Sequence, residues 1–436
     1  MMKTFFALLA LPVLLYGGAV PSCDFDHPTF PCRALIQSAK KPVMRQQMLT
    51  NLSVVIQDNF QSAPGASIVI PNERVLNLLQ SSDQVEGIYP DRAIFAHKKP
   101  SNPGNQPPAD GQVIPAGVTR IGAVHLPFDG TGIGVAIVDT GLDFNHADLH
   151  INPECFTAYS SCQDDDGHGT HVGGTVAALD NTVDVVGVAP GATLYAVKVL
   201  DQTGSGSDGS VIAGLDWIAQ HADTVTPAIR VVNMSLGRPG FLNDNPLMRQ
   251  AIQALTDQGI SVVVSAGNTS TSEVFDQVPA TYPEVLAIAS TTAQDGENQG
   301  CRGYSGIVSR DTASFFTTDG AFDPATRMGV TISAPGEKRE NIKRNCFLSS
   351  EGILSLKLGG GTTRMSGTSM AAPHAAGIVA LLYQQAGGEL NPEAARDLIR
   401  TGAQQAGTTP LASPSSSYTF DGEREGVLSA CDALGC

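Results

Sequence analysis

The chain has 436 residues, carries 26 Lys and Arg against 42 Asp and Glu for a formal charge of −16, and is 42% hydrophobic and 16% charged. That composition buries a large core, which excludes wholesale disorder, and 46 Gly with 27 Pro mark a loop-rich chain. Residues 1–97 are balanced in charge, so the acidic excess lies beyond them; such a surface repels phosphate backbones and argues against a nucleic-acid partner.

At the N-terminus Lys3 precedes an apolar run from Phe5 to Tyr16, followed by Gly17, Gly18 and Ala19. This is the pattern of a secretory signal, residues 1–19, cleaved after Ala19, and it predicts an exported chain. The run is too short to span a bilayer, and no other stretch approaches membrane length, so no stable membrane anchor is expected. Eight cysteines suit an oxidising compartment. After Cys23 and Cys32, proximity favours Cys155–Cys162 and Cys431–Cys436 and leaves Cys301–Cys346 to close a longer loop, although spacing alone does not choose among pairings. Zinc held by Cys162, His168 and His171 is the competing reading, but only five residues separate Cys162 from His168, against about 12 in finger-type sites.

Residues 40–97 alternate β-like runs (Leu52–Ile56, Ser67–Ile70) with a helical stretch, Glu73–Leu79. Residues 98–111, rich in Pro, Asn and Gly, read as an extended linker. Gly130, Gly132 and Gly134 precede a strand instead of following it, the wrong order for a dinucleotide loop. Beyond them, continuous apolar runs at 134–141, 193–200, 229–237, 260–268 and 285–290 read as strands. Helical stretches at His168–Leu179, Ser210–Ala222 and Pro246–Gln258 lie between them; a long apolar helix follows Ser369, and a short one, Glu393–Ile399, comes after Asn391-Pro392. This alternation predicts an α/β fold, a doubly wound, mostly parallel sheet with helices on both faces. Ligands of such sheets sit at the carboxyl ends of the strands, where Asp139, Ser235-Leu236-Gly237 and Asn268 fall.

Three reactive side chains stand at turns or helix starts: Asp139 after an apolar strand, His168 in Asp-Gly-His-Gly-Thr-His, and Ser369 in Gly-Thr-Ser-Met-Ala-Ala-Pro-His. Singly these are a turn acid, a helix start and an N-cap. Together they are what a serine nucleophile needs: a base to take its proton, and a carboxylate to hold the base's tautomer.

The blocks VAIVDTGLDFNHADL, DGHGTHVGGTVAAL and SGTSMAAPHAAGIVALL, with GVAPGATLYAVKVL, VVNMSLG and SAGN between them, closely resemble the subtilisin-like serine proteases. The resemblance spans about 112–436 and implies a secreted endopeptidase of residues 112–436 acting on proteins and peptides, expected as a monomer. It implies that Asp139 orients, that His168 is the general base, that Ser369 is the nucleophile, and that Asn268 donates to the oxyanion. Gly204, Ser205, Gly206, Ser235, Leu236 and Gly237 match the family's substrate-binding strands, to which a substrate would add as a strand. Leu236 suggests a broad, mainly apolar primary pocket, floored within Thr269–Pro279. The loop from Leu179 to Val185 resembles a calcium loop, in which carbonyls of Leu179, Val183 and Val185 and side chains of Asn181, Asp148 and Gln112 would hold structural calcium. The acid run Asp164–Asp166 offers either a second ion site or a solvated face, of which the solvated face is expected, and His171 and His374 are expected to be core histidines.

Residues 40–97, through the ending VEGIYPDRAIFAH, resemble the family's propeptide, a small α+β inhibitor and folding domain; residues 20–97 would then be removed by a self-inflicted cut near His97, or nearer Asp110. Insertions around 295–311 and 336–362 each carry one cysteine. No further C-terminal domain is expected. The alternative is a secreted binding protein on the same fold without turnover, but such a protein usually lacks a catalytic residue, and all four are present here.

Overall fold

The computed structural model describes residues 20–52, 54–98, 111–414 and 425–436. The expected signal segment and most of the linker lie outside the described residues. Two compact units are present, one of residues up to Asn59 plus Pro64–Arg92, the other of Phe60–Ala63 plus Ala93–Cys436.

The first unit is a four-stranded sheet in the order Val55–Asn59, Gly65–Ile70, Cys32–Gln37, Gly87–Pro90, every neighbouring pair antiparallel. Its helices are Pro42–Asn51 and Glu73–Gln80, the latter started by Asn72, whose side-chain oxygen accepts the Val75 N–H. Ala34, Ile36, Leu49, Ile68, Ile70, Leu76 and Leu79 form its core, and Cys23–Cys32 ties the first described residues to the sheet. The β-like run assigned to Leu52–Ile56 is only half a strand: the preceding helix runs to Asn51, and pairing with Gly65–Ile70 begins at Val55.

The second unit is built on a seven-stranded parallel sheet in the order Val330–Glu337, Leu286–Thr292, Ser261–Ser265, Ile229–Met234, Gly134–Asp139, Thr193–Lys198, Phe156–Thr157. The five strands read from the sequence are all present, four with shorter ends and the fifth running on to Thr292, and the apolar run 229–237 breaks in two at Ser235, giving a separate strand Leu236–Pro239. Side chains alternate between faces. Val135, Ile137, Leu194, Val231, Val263 and Ile288 join one core with the helices His168–Ala177 and Thr368–Gln385. On the alternate face, Gly214 of the helix Asp208–His221 approaches so closely that a Cβ there would lie 2.8 Å from a Val197 methyl. The first strand in this sequence, Gly134–Asp139, therefore lies inside the sheet with neighbours on both sides, the switch point at which such sheets open a crevice at their carboxyl ends.

Two antiparallel hairpins, Arg339–Ile342 with Leu348–Glu351 and Ile353–Leu356 with Thr362–Met365, occupy one of the two expected insertions. The remaining disulfides are Cys155–Cys162, Cys301–Cys346 and Cys431–Cys436, so the second pair joins the two insertions. Cys162 is thereby committed to sulfur, which displaces the zinc reading. Among the described residues no helix is long and apolar enough to cross a membrane.

Candidate active site

Each candidate residue stands where a strand or helix ends. Asp139 is the last residue of its strand, His168 the first of its helix, and Ser369 the second of the helix Thr368–Gln385. All three are fully buried. His168 Nδ1 lies 2.8 and 2.9 Å from the two oxygens of Asp139, and Asp139 Oδ1 also accepts the Thr140 N–H at 2.7 Å. The carboxylate thus favours the tautomer with its proton on Nδ1 and leaves Nε2 with its lone pair free. Ser369 Oγ donates to the Ser235 carbonyl at 2.9 Å, while His168 Nε2 makes no hydrogen bond among the described residues. Asn268 is held by its own oxygen, which accepts from Thr368 N and Oγ1, each at 3.0 Å; this aims its NH₂ away from the helix start.

What the amide meets is the chain's own backbone. Asn268 Nδ2 donates to the His97 carbonyl at 2.6 Å. The segment leading to that carbonyl, Ala93–Ala96, is a strand inserted antiparallel between Ser205–Ser207 and Leu236–Pro239. Ala96 N–H donates to Gly204 O at 3.0 Å and His97 N–H to Ser235 O at 3.1 Å, while Phe95 stands opposite both Ser205 and Gly237, Ile94 opposite Gly206, and Ala96 opposite Leu236. All six residues expected to bind an extended peptide therefore border this strand. Gly367, at φ 151°, makes room for the approach: a Cβ there would lie 2.3 Å from the His97 oxygen.

The side chain in the primary pocket is polar on one edge. His97 Nδ1 is 2.8 Å from Ser265 Oγ, and a Cβ on Gly237 would sit 2.4 Å from His97 Cε1 and 3.0 Å from the Val278 carbonyl. Val278 belongs to the segment expected to floor the pocket; Ser265, at the end of an apolar strand, opens the Ser-Ala-Gly-Asn block but was given no role by it.

The acid run before His168 departs from expectation. Asp164 is 3% exposed and accepts from Thr140 Oγ1, Gly167 N, and Thr170 N and Oγ1, bracing the turn into the helix. Asp165 meets Lys198, a buried lysine that also donates to the Thr140 and Leu200 carbonyls. Asp166 accepts the His168 N–H at 3.1 Å and pairs with Lys98. Solvation loses at Asp164 and Asp166 because their side chains turn inward, where an unpaired carboxylate would cost several kcal/mol, while Asp165 stays half-exposed. His171 and His374 are buried, burial pushing the first down to about 3 and the second down to about 4; both are neutral imidazoles donating to the backbone carbonyls of Ile353 and Met370.

Of the calcium candidates, Gln112, Asp148, Leu179, Asn181 and Val185 converge. Gln112 Nε2 donates to the carbonyls of Leu179 (2.6 Å) and Val185 (3.1 Å), and Asn181 Nδ2 to Asp148 Oδ1 (2.6 Å). Val183 joins through its N–H, which holds Asn181 Oδ1 at 2.6 Å. Asp148 is buried, and desolvation pushes its carboxyl up to about 6.

The geometry defines a doubly wound α/β protein with a buried Asp139–His168 pair, and Ser369 against Ser235, at the carboxyl ends of its strands. The description "Subtilase family" matches residues 130–420. Subtilisin Savinase of Lederbergia lenta is 32% identical over 69% of this chain and 95% of its own; M-protease of Shouchella clausii is 33% identical over 63% of this chain, which spans 60% of M-protease. A cold adapted subtilisin-like serine proteinase superposes with TM-score 0.52 at 28% identity, covering 70% of this chain and 91% of its own. Fervidolysin of Fervidobacterium pennivorans superposes with TM-score 0.64 at 21% identity, over 96% of this chain and 63% of its own, a likeness of fold. The chain belongs to the subtilases, the subtilisin-like serine endopeptidases.

Proposed function

We propose that the chain is a secreted endopeptidase made as a precursor, which cuts its own His97–Lys98 bond and then hydrolyses protein and peptide substrates. The observation that carries this reading is the His97 carbonyl, held by the Asn268 amide at the end of a strand that fills the peptide-binding groove. Ser369 Oγ attacks the carbonyl carbon while His168 Nε2 takes its proton; Asp139 stabilises the resulting imidazolium, and Asn268 with the Ser369 N–H faces the developing oxyanion. The His97–Lys98 C–N bond then breaks, the proton passes from His168 to the leaving nitrogen, and water releases the acyl group. Residues 1–19 are the signal, 20–97 the propeptide, 98–111 a linker, and 112–436 the peptidase, acting as a monomer. Until it diffuses away, the propeptide inhibits by occupying the groove. A second tether supports that role: Asp216 accepts from Gln61 N (2.9 Å) and from Ser62 N and Oγ (2.5 and 2.6 Å).

The family implies structural calcium, and the donor set near Asp148 fits it: a buried carboxylate, two side-chain amides and two backbone carbonyls, all hard oxygen donors or able to become so by an amide flip. Gln112, Asp148, Leu179, Asn181 and Val185 would hold the ion, with Val183 completing the loop. Its charge would offset that of Asp148 and brace the loop after the His168 helix.

The test is the intact mass of the secreted product, wild type beside Ser369→Ala. Loss of everything through His97 in the wild type alone is the expected result. Retention of the propeptide by both proteins, each folded, would favour the silent binding protein.

A further inference from the structure

Resting on the reading of His97–Lys98 as the cleaved bond, we infer that Asp166 determines specificity on the leaving side of that bond, selecting a lysine-like cation in the residue that follows it. Lys98 Nζ lies 2.6 Å from each oxygen of Asp166. The Asp166 side chain is 9% exposed and that of Lys98 35%, so the carboxylate is sheltered while the ammonium keeps a path to solvent.

The carboxylate is held before any substrate arrives. Its own residue's N–H is tied to Asp164 Oδ1 at 3.0 Å, and Asp166 Oδ1 accepts the His168 N–H. Asp164 is fixed in turn by Thr140 and Thr170, so a ligand spends little free energy ordering this loop. The adjacent acid, Asp165, is neutralised by Lys198. Opposite, the Lys98 stem passes over Gly204: a Cβ there would stand 3.7 Å from Cε and 3.6 Å from Nζ. The cation is therefore flanked by a glycine backbone on one side and a preset carboxylate on the other.

The timing follows from the chemistry. The residue after the scissile bond leaves with the amine once acylation is complete, so the contact acts on binding and acylation, and not on hydrolysis of the acyl-enzyme. It also sits two residues from the base that hands the leaving nitrogen its proton. The preference therefore appears in kcat/KM for peptide cleavage, and falls with added salt because one partner is partly exposed.

The experiment uses the mature enzyme and three peptides that continue Ala93–His97 with Lys, Gln or Glu in the next position. The wild type is expected to cut the Lys peptide about five- to tenfold better than the Gln peptide, and the Glu peptide worst. In Asp166→Asn, which keeps an oxygen for the His168 N–H, the Lys-to-Gln ratio falls to about one; in Asp166→Lys the order of Lys and Glu reverses. The ratio is the readout, because damage to the His168 turn would slow all three peptides alike. Equal cutting of the three by the wild type, or a Lys preference that survives Asp166→Asn, overturns the inference and leaves the peptidase reading standing. Failure to cut any peptide after its histidine overturns both. Should the Asp166 variants not fold, the wild-type series decides, with self-cleavage of full-length Lys98→Gln and Lys98→Glu expected to slow in that order.

Discussion

At Asn268, a single side chain faces two ways. Its oxygen is fastened to Thr368 at the start of the nucleophile's helix, and its NH₂ is thereby presented to the carbonyl of the peptide in the groove. Removing the donor without disturbing the fold should therefore strike turnover and spare substrate affinity. Asn268→Ala is expected to lower kcat by about 10²–10³, the range known for loss of this donor in subtilisin itself, with KM nearly unchanged. Steady-state kinetics on a peptide substrate checks this, and a rise in KM of the same size with kcat intact would remove Asn268 from the oxyanion role. The motif Ser-Ala-Gly-Asn made this residue legible. Thr368, which aims it, and Lys198, which pins both Thr140 and Asp165, were not, because a threonine at a helix start and a lysine in an apolar strand look ordinary until their partners are in place.

Among the elements, the inserted hairpin carries the molecule's least comfortable pair of charges. Glu337 ends the strand Val330–Glu337, Glu340 lies in Arg339–Ile342, and both are buried. Glu340 accepts the Phe315 N–H at 2.7 Å; Glu337 is bordered by Glu340, Ser350 and Ser314. Desolvation pushes both carboxyls up, and for Glu340 the charge of Glu337 pushes further in the same direction. The neighbouring cations Lys338 and Arg339 are engaged with Glu351. The pair holds a proton in the folded state that the unfolded chain releases near the ordinary glutamate range. Its stabilisation is therefore present at low pH and is lost as pH rises through the raised folded values, with a slope of at most about 1.4 kcal/mol per pH unit for each proton. Replacing Glu337 by Gln should flatten the fall of Tm as pH rises above the ordinary glutamate range, measured by calorimetry on the Ser369→Ala background to prevent self-digestion. A fall of Tm with rising pH identical in the two proteins would show that the pair is not its source. Neither the strand Val330–Glu337 nor the two hairpins was read from the sequence: the hairpins lie largely in the insertion at 336–362, where short strands mix charged and apolar residues without a clear period, and the strand has Pro335 and Gly336 inside its run.

For the molecule as a whole, stability is linked to whatever binds the folded form alone. An ion at the Gln112–Val185 donor set would stabilise by about 2.7 kcal/mol at a hundredfold excess over its Kd. Chelation of the mature enzyme is expected to lower Tm by several degrees and to be reversed by added calcium, and Asp148→Asn is expected to abolish the chelator's effect. A Tm indifferent to chelator in the wild type would withdraw calcium from this loop.

By itself the sequence determined the α/β class, the central strands and their helices, and singled out four candidate residues, Asp139, His168, Asn268 and Ser369. The physical reason is that these are local: apolar runs that must be buried on both faces, caps at helix starts, and reactive side chains set in turns with little alternative use. The tertiary structure decided what those residues face. Asp164, Asp165 and Asp166 read as one solvated run, yet the fold sends them to a threonine pair, a buried lysine and Lys98, leaving only Asp165 half-exposed. Their partners lie up to 68 residues away in the chain. A charge's value depends on the dielectric around it and the counter-charge beside it, and both exist only once distant segments have met.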